Sequence, residues 1–177
     1  TLRYKEQYGN LLVHIFILIP AATFFAYLGR RLDRTWGFSP TIGPPWNIVI
    51  AFVMFAVAGF IVWYSYGYLF IKGGGSPGSH MGYTTRLVTT GIYSWIRHPS
   101  VLGKLIGVIG LGVLMRTPSF LIFIVPVLLV YSLITNILIQ ERYCIQHFGE
   151  AYRRYREQTP MLIPGPRRIS RYLRERK

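Results

Sequence analysis

The sequence predicts an all-α integral membrane protein, a polytopic bundle of about four transmembrane helices. Two features of its 177 residues lead to this fold class. Hydrophobic residues make up 51% of the chain and charged residues only 15%, against about 25% charged residues in an ordinary soluble domain. The mean hydropathy is +0.34, and the apolar residues lie in long runs. The same composition excludes an intrinsically disordered chain, which requires low hydrophobicity.

The apolar runs give the predicted helices in order. A transmembrane helix needs about 20 apolar residues, within a range of roughly 17–25. The four runs are Leu11–Leu28, Ile48–Ile71, Val101–Met115 and Ser119–Ile139. The third is short, but Ser100 extends it and Pro99 suits the first position of a helix. Backbone groups in lipid must pair within the chain, and these runs do not alternate as barrel strands do, so each is expected to be a helix.

The remaining segments complete the predicted organisation. Runs three and four are joined only by Met115–Pro118, which predicts an antiparallel helical hairpin. Residues 140–158 are predicted to continue the fourth helix beyond the apolar run. The chain therefore divides into three parts: the N-terminal transmembrane helices (1–71), a core of loop, two transmembrane helices and a C-terminal helix (72–166), and a basic tail (167–177).

The charge is strongly positive, with 20 Lys and Arg against 6 Asp and Glu. In a membrane protein such an excess indicates topology and contact with anionic lipids rather than a nucleic acid partner. With four spans, the side holding both termini and the 72–100 loop carries 15 basic residues and the opposite side carries 4. The positive-inside rule therefore places both termini in the cytoplasm. An aromatic belt at headgroup depth is expected from Trp36, Trp46, Tyr64, Tyr66 and Tyr68.

Polar residues concentrate immediately before the third run. Arg97 and His98 precede Pro99 at a membrane boundary, where polar groups need partners. A helix start has free N–H groups that can bind an anionic group, and a neutral histidine can both donate and accept hydrogen bonds. The alternative is that Arg97 and His98 only anchor the chain among lipid headgroups.

Two features of the third run allow two interpretations each. Gly103, Gly107 and Gly110 share one helical face, which permits close approach of either another helix or a ligand. Lys104 either extends its ammonium to the membrane interface or faces a polar cavity.

A second polar group follows the fourth run. Asn136, Gln140, Tyr143 and His147 are spaced to form one stripe of an α-helix. Glu141 lies beside them and can either hold an ammonium group or pair with an arginine. The alternative is an ordinary solvated helix. Downstream, the charges of Arg153, Arg154 and Arg156 are interpreted either as a solvated face near lipid phosphates or as a binding site for an acceptor. The histidines and the lone cysteine have no metal-ligand spacing, so no metal site is expected.

The order of these motifs closely resembles the isoprenylcysteine carboxyl methyltransferase family, to which phospholipid N-methyltransferases are related. The resemblance rests on the run from Leu87 to Ser100 with its Gly-x-Tyr-x-x-x-Arg-His-Pro-Ser core, on Gln140-Glu141, on Phe148-Gly149-x-x-Tyr152-x-x-Tyr155, and on Thr159-Pro160. It covers about residues 72–166. It implies an enzyme that binds S-adenosylmethionine at the cytoplasmic side of a helical membrane domain and methylates a lipophilic acceptor.

The resemblance also implies site residues. The cofactor would contact the backbone of Leu87 and Val88, the side chain of Tyr93, and a cluster of motif positions. That cluster consists of His98, Pro99, Ser100, Val101, Gly103, Gln140 and Glu141. The helix start and His98 would serve the cofactor carboxylate, Glu141 its ammonium, and Tyr93 or Trp95 its sulfonium. Arg97, Arg153 and Asn136 are the expected catalytic residues, which hold the acceptor.

Three positions depart from the family pattern and leave the acceptor open. Val101 replaces a tyrosine, Gln140 replaces the first of two acids, and Asn136 replaces the arginine that serves a prenylcysteine carboxylate. The candidate acceptors are a prenylcysteine-like carboxylate, a lipid amine and a thiol. Two other classes stay open at this stage: an NADPH-dependent enzyme resembling sterol reductases, and a non-catalytic membrane scaffold of the same fold.

Overall fold

The computed structural model describes residues 24–25, 27–40, 42–75 and 84–164, apart from the side chains of residues 136 and 137. Helices are the regular secondary structure of the described part, which contains no strand. Residues 27–36 form α1. The later helices are α2 (Trp46–Gly73), α3 (Pro99–Met115), α4 (Val125–Thr135), α5 (Arg142–Phe148) and α6 (Glu150–Gln158). Most of the predicted first span, Leu11–Leu28, lies outside the described residues, as does the basic tail 167–177.

Two helices are long and apolar enough to cross a membrane in the described part of the chain. One is α2, and the other runs unbroken from Phe120 to Phe148 through α4 and α5. The predicted second and fourth spans are therefore confirmed as helices. Large apolar side chains project outward from them, with Phe52, Trp63 and Ile71 all more than 60% exposed. The core helix of a soluble protein would bury such residues, so this outer surface fits contact with lipid.

The glycine stripe of α3 packs against α2. A Cβ added at Gly103 would lie 2.8 Å from Val62 Cγ2 and 3.0 Å from the Ala58 carbonyl oxygen, and one at Gly110 would lie 3.1 Å from Met54 Cβ. The absence of side chains here lets the two helices approach closely. Of the two interpretations of this stripe, helix packing is the one that the structure shows.

The helix from Phe120 to Phe148 contains two π-helical segments, Phe120–Ile124 and Asn136–Glu141. A π segment places more residues in a turn than an α-helix does, which rotates the residues that follow around the helix axis. Of the predicted stripe, Tyr143 is 43% exposed and His147 is also exposed, as in the alternative of a solvated helix, whereas Glu141 and Cys144 are buried.

The prediction of one continuous helix over residues 140–158 is wrong. The helix ends at Phe148 because Gly149 adopts a positive φ of 57°, and α6 starts at Glu150 in a new direction. This break turns Tyr152 and Tyr155 back into a core cluster at one end of the bundle. The cluster consists of Leu69, Val88, Tyr93, Cys144, Tyr152 and Tyr155.

Candidate functional site

The segment that leads into the site is fixed to the end of α2. The carbonyl oxygen of Gly73 accepts hydrogen bonds from the backbone N–H groups of Thr85 (2.9 Å) and Arg86 (3.1 Å) and from Thr85 Oγ1 (3.1 Å). Val88 is buried against Gly73, and Leu87 packs against the same core cluster. The predicted pair Leu87 and Val88 therefore has a defined position beside Tyr93.

Tyr93 joins three parts of the fold. It lies in a 3-10 turn over Gly91–Ser94, and its hydroxyl donates a hydrogen bond to the Ser65 carbonyl oxygen of α2 at 3.2 Å. Its own carbonyl oxygen accepts a hydrogen bond from the Tyr155 hydroxyl of α6 at 2.7 Å. Burial raises the pKa of Tyr93 far above its usual range, so its phenol stays neutral. Tyr93 is thus a fixed, uncharged wall of the site.

The start of α3 is held by the segment that follows α6. The backbone N–H groups of Arg97 and His98 donate to the carbonyl oxygens of Pro160 (2.9 Å) and Met161 (3.1 Å). The sequence predicted free N–H groups at this helix start, but few are free. Proline has no N–H at position 99, and the amides of Val101 and Leu102 donate to the His98 carbonyl oxygen.

A buried carboxylate lies at the centre of the site. Glu141, at the end of the second π segment, is 4% exposed, and its Oε1 lies 2.6 Å from Arg97 Nη1 and 3.2 Å from His98 Nε2. Arg156 of α6 is close enough for its charge to act on this carboxylate. Of the two roles expected for Glu141, the structure shows pairing with an arginine. Arg97 is therefore part of the site and not an exposed headgroup anchor.

The guanidinium of Arg97 is incompletely paired. Its contact with Glu141 is a close approach of charges without hydrogen-bond alignment, and its Nε is buried with no acceptor among the described residues. Buried donors without acceptors are uncommon because they lose their hydration without compensation. The site therefore has a charged donor available for a bound group.

An open cleft, with about 220 Å³ of empty space that is continuous with the solvent, lies beside this ion pair. Six of the predicted site residues line it: Tyr93, Arg97, His98, Pro99, Ser100 and Gln140. Sequence reasoning missed two further lining residues, Tyr66 and Leu69 of α2. Tyr66 was expected in the aromatic belt, but it is half-buried here. The signal for its role was a polar interruption of the second apolar run, Tyr64–Tyr68.

Val101, Gly103 and Arg153, which were also predicted in the site, are not among the described residues that line the cleft. Val101 is buried and Gly103 lies in the contact between α3 and α2. Arg153 is exposed and pairs with Glu150 at 2.7 Å. The side chain of Asn136 is outside the described part of the structure. Arg156, from the same basic segment, is the arginine whose charge reaches the site.

Comparison with known proteins places these elements in a family context. The family described as phospholipid methyltransferase matches residues 46–151, which is more than half of the chain. That range contains every residue that lines the cleft. It also includes the segment before α3 and the second π segment.

Among curated proteins, the chain is similar to several enzymes named protein-S-isoprenylcysteine O-methyltransferase. It is 39% identical to that of Saccharomyces cerevisiae over 79 residues and 37% identical to that of Schizosaccharomyces pombe over 79 residues, in each case 44% of this chain. It is 36% identical to protein-S-isoprenylcysteine O-methyltransferase B of Arabidopsis thaliana over 80 residues, 45% of this chain. These matches span 32%, 33% and 40% of the respective relatives.

Proposed function

We propose that this chain, which belongs to the phospholipid methyltransferase family, is an integral membrane enzyme that transfers a methyl group from S-adenosylmethionine to a lipophilic acceptor. The observation that carries the proposal is the cleft beside the Arg97–Glu141 ion pair. It gathers residues of α2, the segment before α3 and the end of the second π segment, all within the family match.

The donor set of the cleft fits the chemistry of the cofactor. S-adenosylmethionine presents a carboxylate, an ammonium and a sulfonium. Arg97 has a buried Nε for which the described residues provide no acceptor, and it is suited to the carboxylate. Glu141, with Gln140 beside it, is suited to the ammonium. The faces of Tyr66 and Tyr93 are suited to the sulfonium through cation–π attraction.

The volume of the cleft sets a condition on binding. Pockets that bury small ligands typically enclose about 300–1,000 Å³, whereas a water-sized sphere can reach only about 10 Å³ inside this cleft. The Arg97–Glu141 pair occupies the space beside it. We infer that the pair separates on binding, so that each partner exchanges the other for an oppositely charged group of the cofactor.

The residues of the chain contribute to the reaction mainly by holding the reactants in place and by excluding water from the cleft. When bound, the cofactor supplies a methyl group on a cationic sulfur that departs as a neutral thioether. Tyr93, held from both sides by Ser65 and Tyr155, keeps one wall rigid. Fixing the acceptor in line with the methyl group and excluding water are sufficient sources of rate for an acceptor that is already a nucleophile. A carboxylate or thiolate needs no base, whereas a protonated amine does.

Several further assignments belong to the same proposal. Leu87, Val88, His98, Pro99, Ser100 and Val101 form the surroundings of the cofactor, and Gly103 sets the spacing of α3 from α2. Asn136 and a basic residue of α6, Arg153 or Arg156, hold the acceptor. The enzyme crosses the membrane several times, with the cleft and both termini on the cytoplasmic side.

The experiment that tests the proposal is calorimetric titration of the full chain in detergent with S-adenosylmethionine, with NADPH in a parallel cell. We expect saturable binding of S-adenosylmethionine alone. The Gln140→Ala variant should weaken that binding several-fold, whereas Gln146→Ala, an exposed glutamine on the next helical turn, should not. Binding of NADPH alone would contradict the proposal. So would equal affinities of wild type, Gln140→Ala and Gln146→Ala for S-adenosylmethionine.

A further inference from the structure

Lys104 is a charged residue in an otherwise apolar helix. It is the one charged residue of α3, it is exposed, and it lies in the second turn after Pro99. Within the described residues no carboxylate forms an ion pair with it: Glu141 pairs with Arg97 and His98, and Glu150 pairs with Arg153. Ionisable groups at membrane depth are costly and commonly serve function.

The position of Lys104 relates it to the cleft in two ways. Ser100, which lines the cleft, lies four residues earlier and so on the same helical face. The ammonium nitrogen also lies 5.8 Å from the centroid of the Tyr66 ring, and Tyr66 lines the cleft from α2. The charge of Lys104 is therefore at the edge of the cleft, between α2 and α3.

The charge balance around the cleft favours a negatively charged ligand. The carboxylate of Glu141 already faces Arg97 and His98, and Lys104 adds a positive charge that contacts the Tyr66 ring but has no carboxylate partner among the described residues. S-adenosylmethionine, with one negative and two positive groups, would add another net positive charge. In a low-dielectric site, such a surplus attracts an anion and repels a protonated amine.

We propose that Lys104 is a positioning residue that binds the anionic group, a carboxylate or a phosphate, of an amphiphilic acceptor. The apolar tail of this acceptor would lie along the outer face of α2 next to Tyr66, where Trp63 and Phe70 are 72% and 48% exposed. This inference rests on the proposed function and narrows it, because it selects an anionic amphiphile over a lipid that presents only an amine.

The test measures binding of three probes with the same chain length, without cofactor. Dodecanoate, dodecyl phosphate and the neutral dodecanamide are titrated into the full chain in a nonionic detergent. We expect Lys104→Gln to weaken at least one of the two anions about tenfold, the loss of roughly one charge-assisted hydrogen bond. Lys104→Arg should stay close to wild type, and dodecanamide should not distinguish the variants. The more affected anion identifies the recognised group.

Lys72→Gln is the matched control, because Lys72 is an exposed lysine at the end of α2 and does not line the cleft. Equal weakening of the anions by Lys72→Gln and Lys104→Gln would mean general surface attraction and would overturn the inference. So would an unchanged affinity in Lys104→Gln, or an equal loss for dodecanamide.

The two proposals fail separately. Absence of S-adenosylmethionine binding would contradict the proposed function, while the Lys104-dependent binding of an anion would still stand. If wild type transfers methyl groups, Lys104→Gln should raise KM for an anionic acceptor and leave kcat and cofactor affinity near their wild-type values. A fall in kcat with unchanged KM would overturn the assignment of Lys104 to acceptor binding.

Discussion

Arg97 and Glu141, which come from the segment before α3 and from the second π segment, form a buried contact of 2.6 Å beside the cleft. The side chains of both residues are nearly inaccessible, at 11% and 6% exposed. Removal of one member of a buried pair leaves the other charge without compensation. This relationship links the stability of the bundle end to the chemistry of the cleft.

The first prediction compares two glutamates in ion pairs. Glu141→Gln should lower the free energy of unfolding by about 3 kcal/mol, because Arg97 would stay buried without its counter-charge. Glu150→Gln removes an exposed pair with Arg153 and should change it by less than about 1 kcal/mol. Thermal unfolding of both variants in the same detergent measures the difference. Equal midpoints would contradict the buried pair.

The second prediction concerns the link between α6 and the 3-10 turn. Tyr155→Phe removes the donor to the Tyr93 carbonyl oxygen and leaves that buried acceptor without this bond. The expected loss of stability is about 1–3 kcal/mol. Tyr131→Phe, at an exposed tyrosine of α4, is the control and should be nearly neutral. An unfolding midpoint for Tyr155→Phe as high as that of the control would refute the importance of this bond.

The third prediction uses two glycines on the two packed helices. A Cβ at Gly103 would meet Val62 and the Ala58 carbonyl oxygen, whereas one at Gly59 meets nothing within 4 Å. Gly103→Ala should therefore destabilise the protein by about 1–3 kcal/mol by forcing α2 and α3 apart. Gly59→Ala should be neutral or slightly stabilising, because alanine favours a helix. Chemical unfolding in mixed micelles compares the two, and the reverse order would disprove the close packing.

The fourth prediction concerns the segment after α6. A chain ended after Gln158 loses the Pro160 and Met161 carbonyl oxygens that accept from Arg97 and His98. We expect such a chain to bind S-adenosylmethionine at least tenfold more weakly, because the start of α3 loses both backbone anchors. A chain ended after Pro164 keeps them and should bind as the full chain does. Equal affinities of the two shortened chains, with matching helix content by circular dichroism, would show that the anchors are dispensable.

Sequence patterns were sufficient for the features that depend on local composition. The second and fourth spans follow from runs of apolar residues, because burial in lipid requires length and hydropathy alone. Pro99 marked the start of α3, since its missing N–H suits that position. The Arg-His-Pro-Ser motif and Gln140 were singled out by their unusual place beside apolar runs, and the structure brings them to one cleft.

Other features depended on how distant segments pack. The π segment at Asn136–Glu141 ends in the buried Glu141 and is followed by the exposed Tyr143, and the break at Gly149 returns α6 to the core. A pattern of α-helical spacing cannot predict a π segment or a break in the helix, because it assumes a constant number of residues in each turn. Tyr66 likewise is of a residue type that is common at the membrane interface. Only the packing of α2 beside α3 places it in the cleft.

The sequence by itself therefore determined the helical membrane class, the two confirmed spans and the identity of most polar residues in the site. The tertiary structure decided which of these polar residues meet. Glu141 pairs with Arg97 and His98 because a buried carboxylate requires compensating charge, and that charge comes from a segment far away in the chain. The tertiary structure also places Lys104 at the edge of the cleft, where no carboxylate of the described residues pairs with it.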